Sequence, residues 1–302
     1  MAKIYYSFLI LFLLTSTLHA AQSLITEAEG YSCTSKKKSA RQARSEAYDD
    51  AKRKAREQAV LYIGSGTKMD NAELEKDLTG AYSHTNMKIL ESKDLGWRKT
   101  KKSGKCLKVF IKAEVAPDEA LMEKMGLDKQ FTDAPSAPLR VQAWTDKEEY
   151  KKGEKIKIYL KGNKPFYASV LYKDTKGALL QLLPNPYNED NYFNENEVIE
   201  IPSNKDKFII EVDPPFGKEE IVIYAGTFPP GEFDLTPRGS VYSIKTKTKD
   251  LGEKARRVQL KKKPGDKDMP VSEFFQNTIT ISTAGPVRAE PGQKELSGAG
   301  PP

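Results

Sequence analysis

The chain has 302 residues, of which 38% are hydrophobic and 30% charged, and a formal net charge of +7 at pH 7. Once a leader is set aside, that length is a soft prior for about two domains, and the apolar share is enough for packed cores beneath a well-solvated surface. Two cysteines and two histidines are too few for an ordinary zinc site, and acidic and basic residues are interleaved along most of the chain, which argues against a nucleic-acid partner.

Residues 1–20 read as a secretory signal peptide: Lys3, an apolar stretch from Ile4 to Leu14, then the small-residue run TSTLHAAQ. The apolar stretch is shorter than the roughly 18 residues of a membrane span. No cysteine follows the expected cleavage point, so no lipid anchor is expected, and the mature protein is expected in the periplasm or outside the cell. Export removes most nucleotide-dependent chemistry. In an oxidising compartment Cys33 and Cys106 are expected to form a disulfide. It would close a loop of roughly 70 residues, worth about 4 kcal/mol in the chain-entropy model, and would take both thiols out of catalysis.

Residues 21–128 read as an α+β module. LITEAEGYS, 24–32, has the character of a strand. A long helix is expected from Ser39 to Ile63, with Ala43, Ala47, Ala51, Ala55 and Ala59 spaced by four. They form one small-residue stripe that lets a helix lie close against a sheet. The pairs Asp49/Arg53, Asp50/Lys54 and Arg53/Glu57 support the helix at about 0.2–0.5 kcal/mol each. Gly64 and Gly66 break it, and MDNAELEKDLTGAY reads as a shorter helix capped by Asp70 or Asn71. Two strands, 84–98 and 104–115, follow around the turn KTKKSGK; CLKVFIKAEV alternates with period two. The expected module is β-α-α-β-β, an antiparallel sheet with helices on one face. EAEG, ARQARSEAYDDAKRKAREQAVLYIGSGT, LTGAYSHTNMKILES and KVFIKAEVAPDE together resemble the N-terminal domain of flagellar assembly protein T and related exported envelope lipoproteins. The resemblance implies a periplasmic module used in envelope assemblies, without implying flagella.

Residues 129–138, KQFTDAPSAP, read as a linker. From 139 to 284 the runs LRVQAW, EKIKIYLK, ASVLYK, ALLQLL, KFIIEV, EEIVIYAG and NTITIST are separated by turn residues, the pattern of an all-β sandwich. Trp144, Tyr150, Gly153, Glu154, the turn Asp174 to Gly177, Leu183-Pro184-Asn185, Ile201-Pro202 and Pro214 to Gly217 resemble domain-of-unknown-function family 4384. That resemblance implies binding or presentation and supplies no catalytic residue. The same residues have structural readings as core aromatics, turns and strand ends. Residues 229–273 have no clear pattern beyond a strand at SVYSIKTKT, and 285–302 read as a disordered tail.

The loop PNPYNEDNYFNENE is long and polar and carries Tyr187, Tyr192 and Phe193, which makes it the candidate partner-binding surface. Asn188, Glu189, Asp190 and Asn191 supply oxygen ligands without the spacing of an EF-hand, so no metal is expected. His84, the lone histidine of the mature chain, falls in a strand, and neither a nucleophile elbow nor a Walker loop is present. No catalytic residue and no cofactor are expected. The sequence reads as a non-enzymatic envelope component with a protein partner. The alternatives are a carboxylate-dependent glycan hydrolase and a basic module whose runs at Lys36 to Lys38, Lys101-Lys102 and Lys261 to Lys263 adhere to anionic polymer or a membrane surface.

Overall fold

The computed structural model describes residues 21–66, 72–83, 87–100, 104–124, 135–204, 206–258, 260 and 270–286. The expected leader, most of the linker and of the tail, His84 and the two later basic runs lie outside these residues. The fold is strand-rich, with large antiparallel sheets and a few helices.

In the first half β1 (Ala21–Cys33), β2 (Met87–Thr100) and β3 (Gly104–Val115) lie in the order β1-β3-β2. Helix α1 (Ala40–Gly66) crosses one face of them, followed by α2 (Ala72–Ser83) and a short α3 (Glu119–Lys124). Ser39 starts α1 as a reciprocal cap: its Oγ accepts the Gln42 amide at 3.3 Å while Gln42 Oε1 accepts the Ser39 amide at 2.9 Å. All five stripe alanines are fully buried, and Ala47, Ala51 and Ala55 pack with Leu107, Val109, Ile111 and Ala113 of β3. On the outer face Asp50 pairs with Lys54 and Arg53 with Glu57, as the spacing suggests, whereas Asp49 pairs with Lys52 and Arg53 also reaches Asp50. The β1/β3 register sets Cys33 opposite Cys106, and the two are joined by a disulfide.

The second half contains β4 (Val141–Thr145), β5 (Glu149–Lys151), β6 (Lys155–Ile156), β7 (Ile158–Gly162), β8 (Phe166–Lys173), β9 (Leu179–Leu183), β10 (Tyr192–Phe193), β11 (Ile199–Ile201), β12 (Ile210–Glu211), β13 (Lys218–Gly226), β14 (Leu235–Arg238), β15 (Val241–Ile244) and β16 (Ser272–Ala284). A three-stranded sheet β11-β7-β4 and the pair β12-β6 pack on the larger sheet. The core between these layers includes Phe166, Val170, Ile158, Leu160, Ile223 and Phe275. The other face of the larger sheet is covered by a helix, α4 (Thr248–Ala255), through Leu251 and Ala255, and by Val258 just after it, against Ile25, Tyr224 and Phe274. This helix lies in the stretch whose sequence has no clear pattern. Its apolar stripe is only two residues long inside eight, too short for periodicity to register.

The halves do not keep separate sheets. Strand β16 pairs with β13 on one side and with β1 on the other, from Ala21↔Gln276 to Ile25↔Ser272, so one 11-stranded sheet runs through the molecule. Both faces of this seam carry buried charge. On the α1 side Glu273, 2% exposed, accepts from Tyr62 Oη at 2.7 Å and Lys164 Nζ at 2.9 Å and from the Leu139 amide. On the α4 side Lys112 bridges Glu27 at 2.9 Å and the Val258 carbonyl at 2.9 Å, and Glu114 accepts from Ser23 Oγ at 2.8 Å and from Arg256.

Candidate functional site

Loop 184–198 owes its shape to a buried asparagine. Asn185 donates through Nδ2 to the Leu182 carbonyl at 2.8 Å, and its Oδ1 accepts the amides of Tyr187 and Asn188, both at 2.9 Å. This Asx turn leaves Tyr187 pointing outward, 54% exposed. Asp190 Oδ1 then accepts the Tyr192 amide at 3.1 Å, and the chain enters β10, which adds to β8 with Tyr192 opposite Tyr167 and Phe193 opposite Phe166. Strand alternation separates the two aromatics. Phe193 packs inward on Phe166 at 5.5 Å between ring centroids, and Tyr192 lies against Tyr167 at 4.9 Å while 46% exposed.

The three aromatics line one open groove of about 700 Å³, together with Asp190, Glu197 and Asp206. Tyr187 and Tyr192 are displayed, and Phe193 forms the groove's base. The opposite rim is tied to the loop by Asp206, which accepts Asn188 Nδ2 at 3.0 Å and the Ser203 amide at 2.6 Å. Lys157 reaches over from the small sheet to Glu200 at 2.5 Å and to the Pro202 carbonyl at 2.6 Å. Sequence reading brings Tyr187, Tyr192 and Phe193 together because they are neighbours in the chain. It misses Tyr167, which strand alternation in ASVLYK's preceding residues could have placed beside Tyr192, and Asp206, which only the tertiary fold delivers.

Of Asn188, Glu189, Asp190 and Asn191, Asn188 is bonded to Asp206 across the groove and Asp190 to the Tyr192 amide. Among the described residues no group of three or more His, Cys, Asp or Glu side chains is placed to hold a metal ion. A second open cleft of about 660 Å³ lies between β15 and the segment 206–211, lined by Tyr172, Phe208 and Arg238. Tyr172 donates to Glu219 beneath it at 2.5 Å, and burial pushes the Glu219 carboxyl up. Glu219 itself does not line that cleft.

Strand β5 and the turn after it carry the pattern EYKKGE. Tyr150 is buried and its hydroxyl donates to Asp146 Oδ1 at 2.7 Å, while Glu154 accepts the Lys151 amide at 2.8 Å and Lys147 Nζ at 2.9 Å. Gly153 turns the chain at φ +82°. In the next hairpin Asp174 Oδ1 accepts the amides of Lys176 and Ala178, with Gly177 at φ +81°. Residues 149–229 match the family model described as Domain of unknown function (DUF4384). No curated protein and no solved structure matches the chain. The matched segment runs from β5 to just past β13 and contains the whole of loop 184–198. Its Tyr150, Gly153, Glu154 and Asp174 are accounted for by turn and strand geometry. Trp144, stacked on Tyr159 at 5.6 Å and partly exposed, lies outside the match.

Proposed function

We propose that the protein is a non-enzymatic binding or assembly component of a cell-envelope complex, exported after removal of its leader, and that loop 184–198 is its contact surface. The observation that carries this reading is the display of Tyr187 and Tyr192 at the rim of one groove, on a loop fixed by Asn185 and by the β10/β8 ladder. Tyrosines held in this way offer large contact area at small entropic cost, the residue type that dominates binding surfaces. The disulfide fits an oxidising compartment, and among the described residues no helix is long and apolar enough to cross a membrane. The first half would dock into an envelope assembly, the role that its sequence resemblance to flagellar assembly protein T implies, with the segment 149–229 facing the partner.

The test is a photo-crosslinking amino acid at position 187 or 192 in the native envelope, with mass spectrometry of the adduct. One recurrent protein, crosslinked from both positions and absent from a control position on the α1 outer face, is the expected result. Equal labelling at all positions, or none at the groove, overturns the reading.

A further inference from the structure

Charge is laid out unevenly around the groove. Between Leu183 and Lys207 the chain carries Glu189, Asp190, Glu195, Glu197, Glu200 and Asp206 against Lys205 and Lys207, an acidic excess in a protein whose formal net charge is +7. No basic side chain lines the groove among the described residues, while Asp190, Glu197, Glu200 and Asp206 do. Glu200 is already neutralised by Lys157. Among the described residues Asp190, Glu197 and Asp206 are contacted by neutral donors: the Tyr192 amide, Asn194 Nδ2, and Asn188 Nδ2 with the Ser203 amide. Three carboxylates that pair with no cation among the described residues therefore face the same concave space as two exposed tyrosine rings.

We infer that the groove takes an extended, arginine- or lysine-rich segment of the partner protein, an inference that rests on loop 184–198 being the contact surface. A concave wall of one sign concentrates the field and draws counter-charge more strongly than a flat surface does. A guanidinium satisfies both parts of this site, since it bonds carboxylates and stacks on aromatic faces. The aliphatic stem of either cation can lie on Val198, which is 54% exposed beside the rings. An anionic polymer would meet its own sign here, so the site selects against the anionic partners that the chain's overall positive charge suggests.

Fluorescence anisotropy with the purified full chain and labelled nona-arginine and nona-glutamate peptides tests this, alongside the position-187 crosslink. Nona-arginine should bind and nona-glutamate should not. The charge reversal Asp190→Lys with Glu197→Lys should weaken nona-arginine by about tenfold or more, and the neutral pair Asp190→Asn with Glu197→Gln should weaken it less. All four changes are at exposed positions, and an unchanged melting temperature shows that the fold is intact. Nona-glutamate binding as tightly as nona-arginine, or nona-arginine indifferent to both pairs of substitutions, overturns the inference. A crosslinked partner held through an acidic or uncharged segment also overturns it and leaves the contact surface standing. Absence of both crosslink and peptide binding removes the two together.

Discussion

Glu273 and Glu219 are both 2% exposed, yet their surroundings differ in sign. Glu273 has the Lys164 ammonium, the Tyr62 hydroxyl and a backbone amide, so its charge is matched where it is buried. Among the described residues no lysine or arginine pairs with Glu219. Burial raises its pKa, hydrogen bonds from Tyr172 and Thr283 pull the other way, and the nearby Asp174 carboxylate adds to the rise. A carboxyl whose folded pKa lies above its unfolded one binds its proton more tightly in the native state. Its contribution to stability is therefore complete below the unfolded value near 4.5 and is lost as pH rises through the folded value. Urea midpoints measured from pH 4 towards neutrality should fall for the wild type relative to Glu219→Gln, which keeps the shape and cannot ionise. Parallel curves for the two proteins would show that Glu219 does not titrate in this window.

Among the elements, α1 and β1 depend on one missing side chain. A Cβ on Gly30 would stand 1.8 Å from the Ala47 carbonyl oxygen and 2.6 Å from the Ala51 amide nitrogen, both backbone atoms that cannot turn aside. Gly30→Ala should destabilise by about 1–3 kcal/mol or more by overpacking, read as a lower urea midpoint with an unchanged slope. A midpoint equal to wild type would mean that the helix can lift without cost. The alanine spacing of four made this contact legible in sequence, as period-two alternation did for β3 and for the strand runs of the second half. The partner of α4 was not legible, because a two-residue apolar stripe gives no period. Nor was the β1/β16 pairing, which joins segments some 250 positions apart through residues of no special type. At the groove, the tyrosines could be read from composition and turn residues. The inward turn of Phe193 follows from β10 joining β8, a long-range pairing that two residues of strand cannot announce.

For the molecule as a whole, that seam makes the two halves one sheet. Trp97 in β2 and Trp144 in β4 report on opposite sides of it, so Trp97→Phe and Trp144→Phe proteins each leave one probe. The two should unfold at the same urea concentration. Glu273→Leu, which strands Lys164 and Tyr62 without their acceptor, should shift both curves together by about 3–5 kcal/mol. Separate midpoints, or a shift confined to Trp144, would mean that the seam does not couple the halves.

The cystine has a mechanical consequence. If residues 21 and 286 were pulled apart, tension would pass along β1 to Cys33, cross the sulfur bridge to Cys106 and continue into β3, bypassing α1, α2 and β2. The segment between the two cysteines, which are 73 positions apart, would be shielded from the load, and the oxidised chain would stop lengthening about 250 Å short of the reduced one.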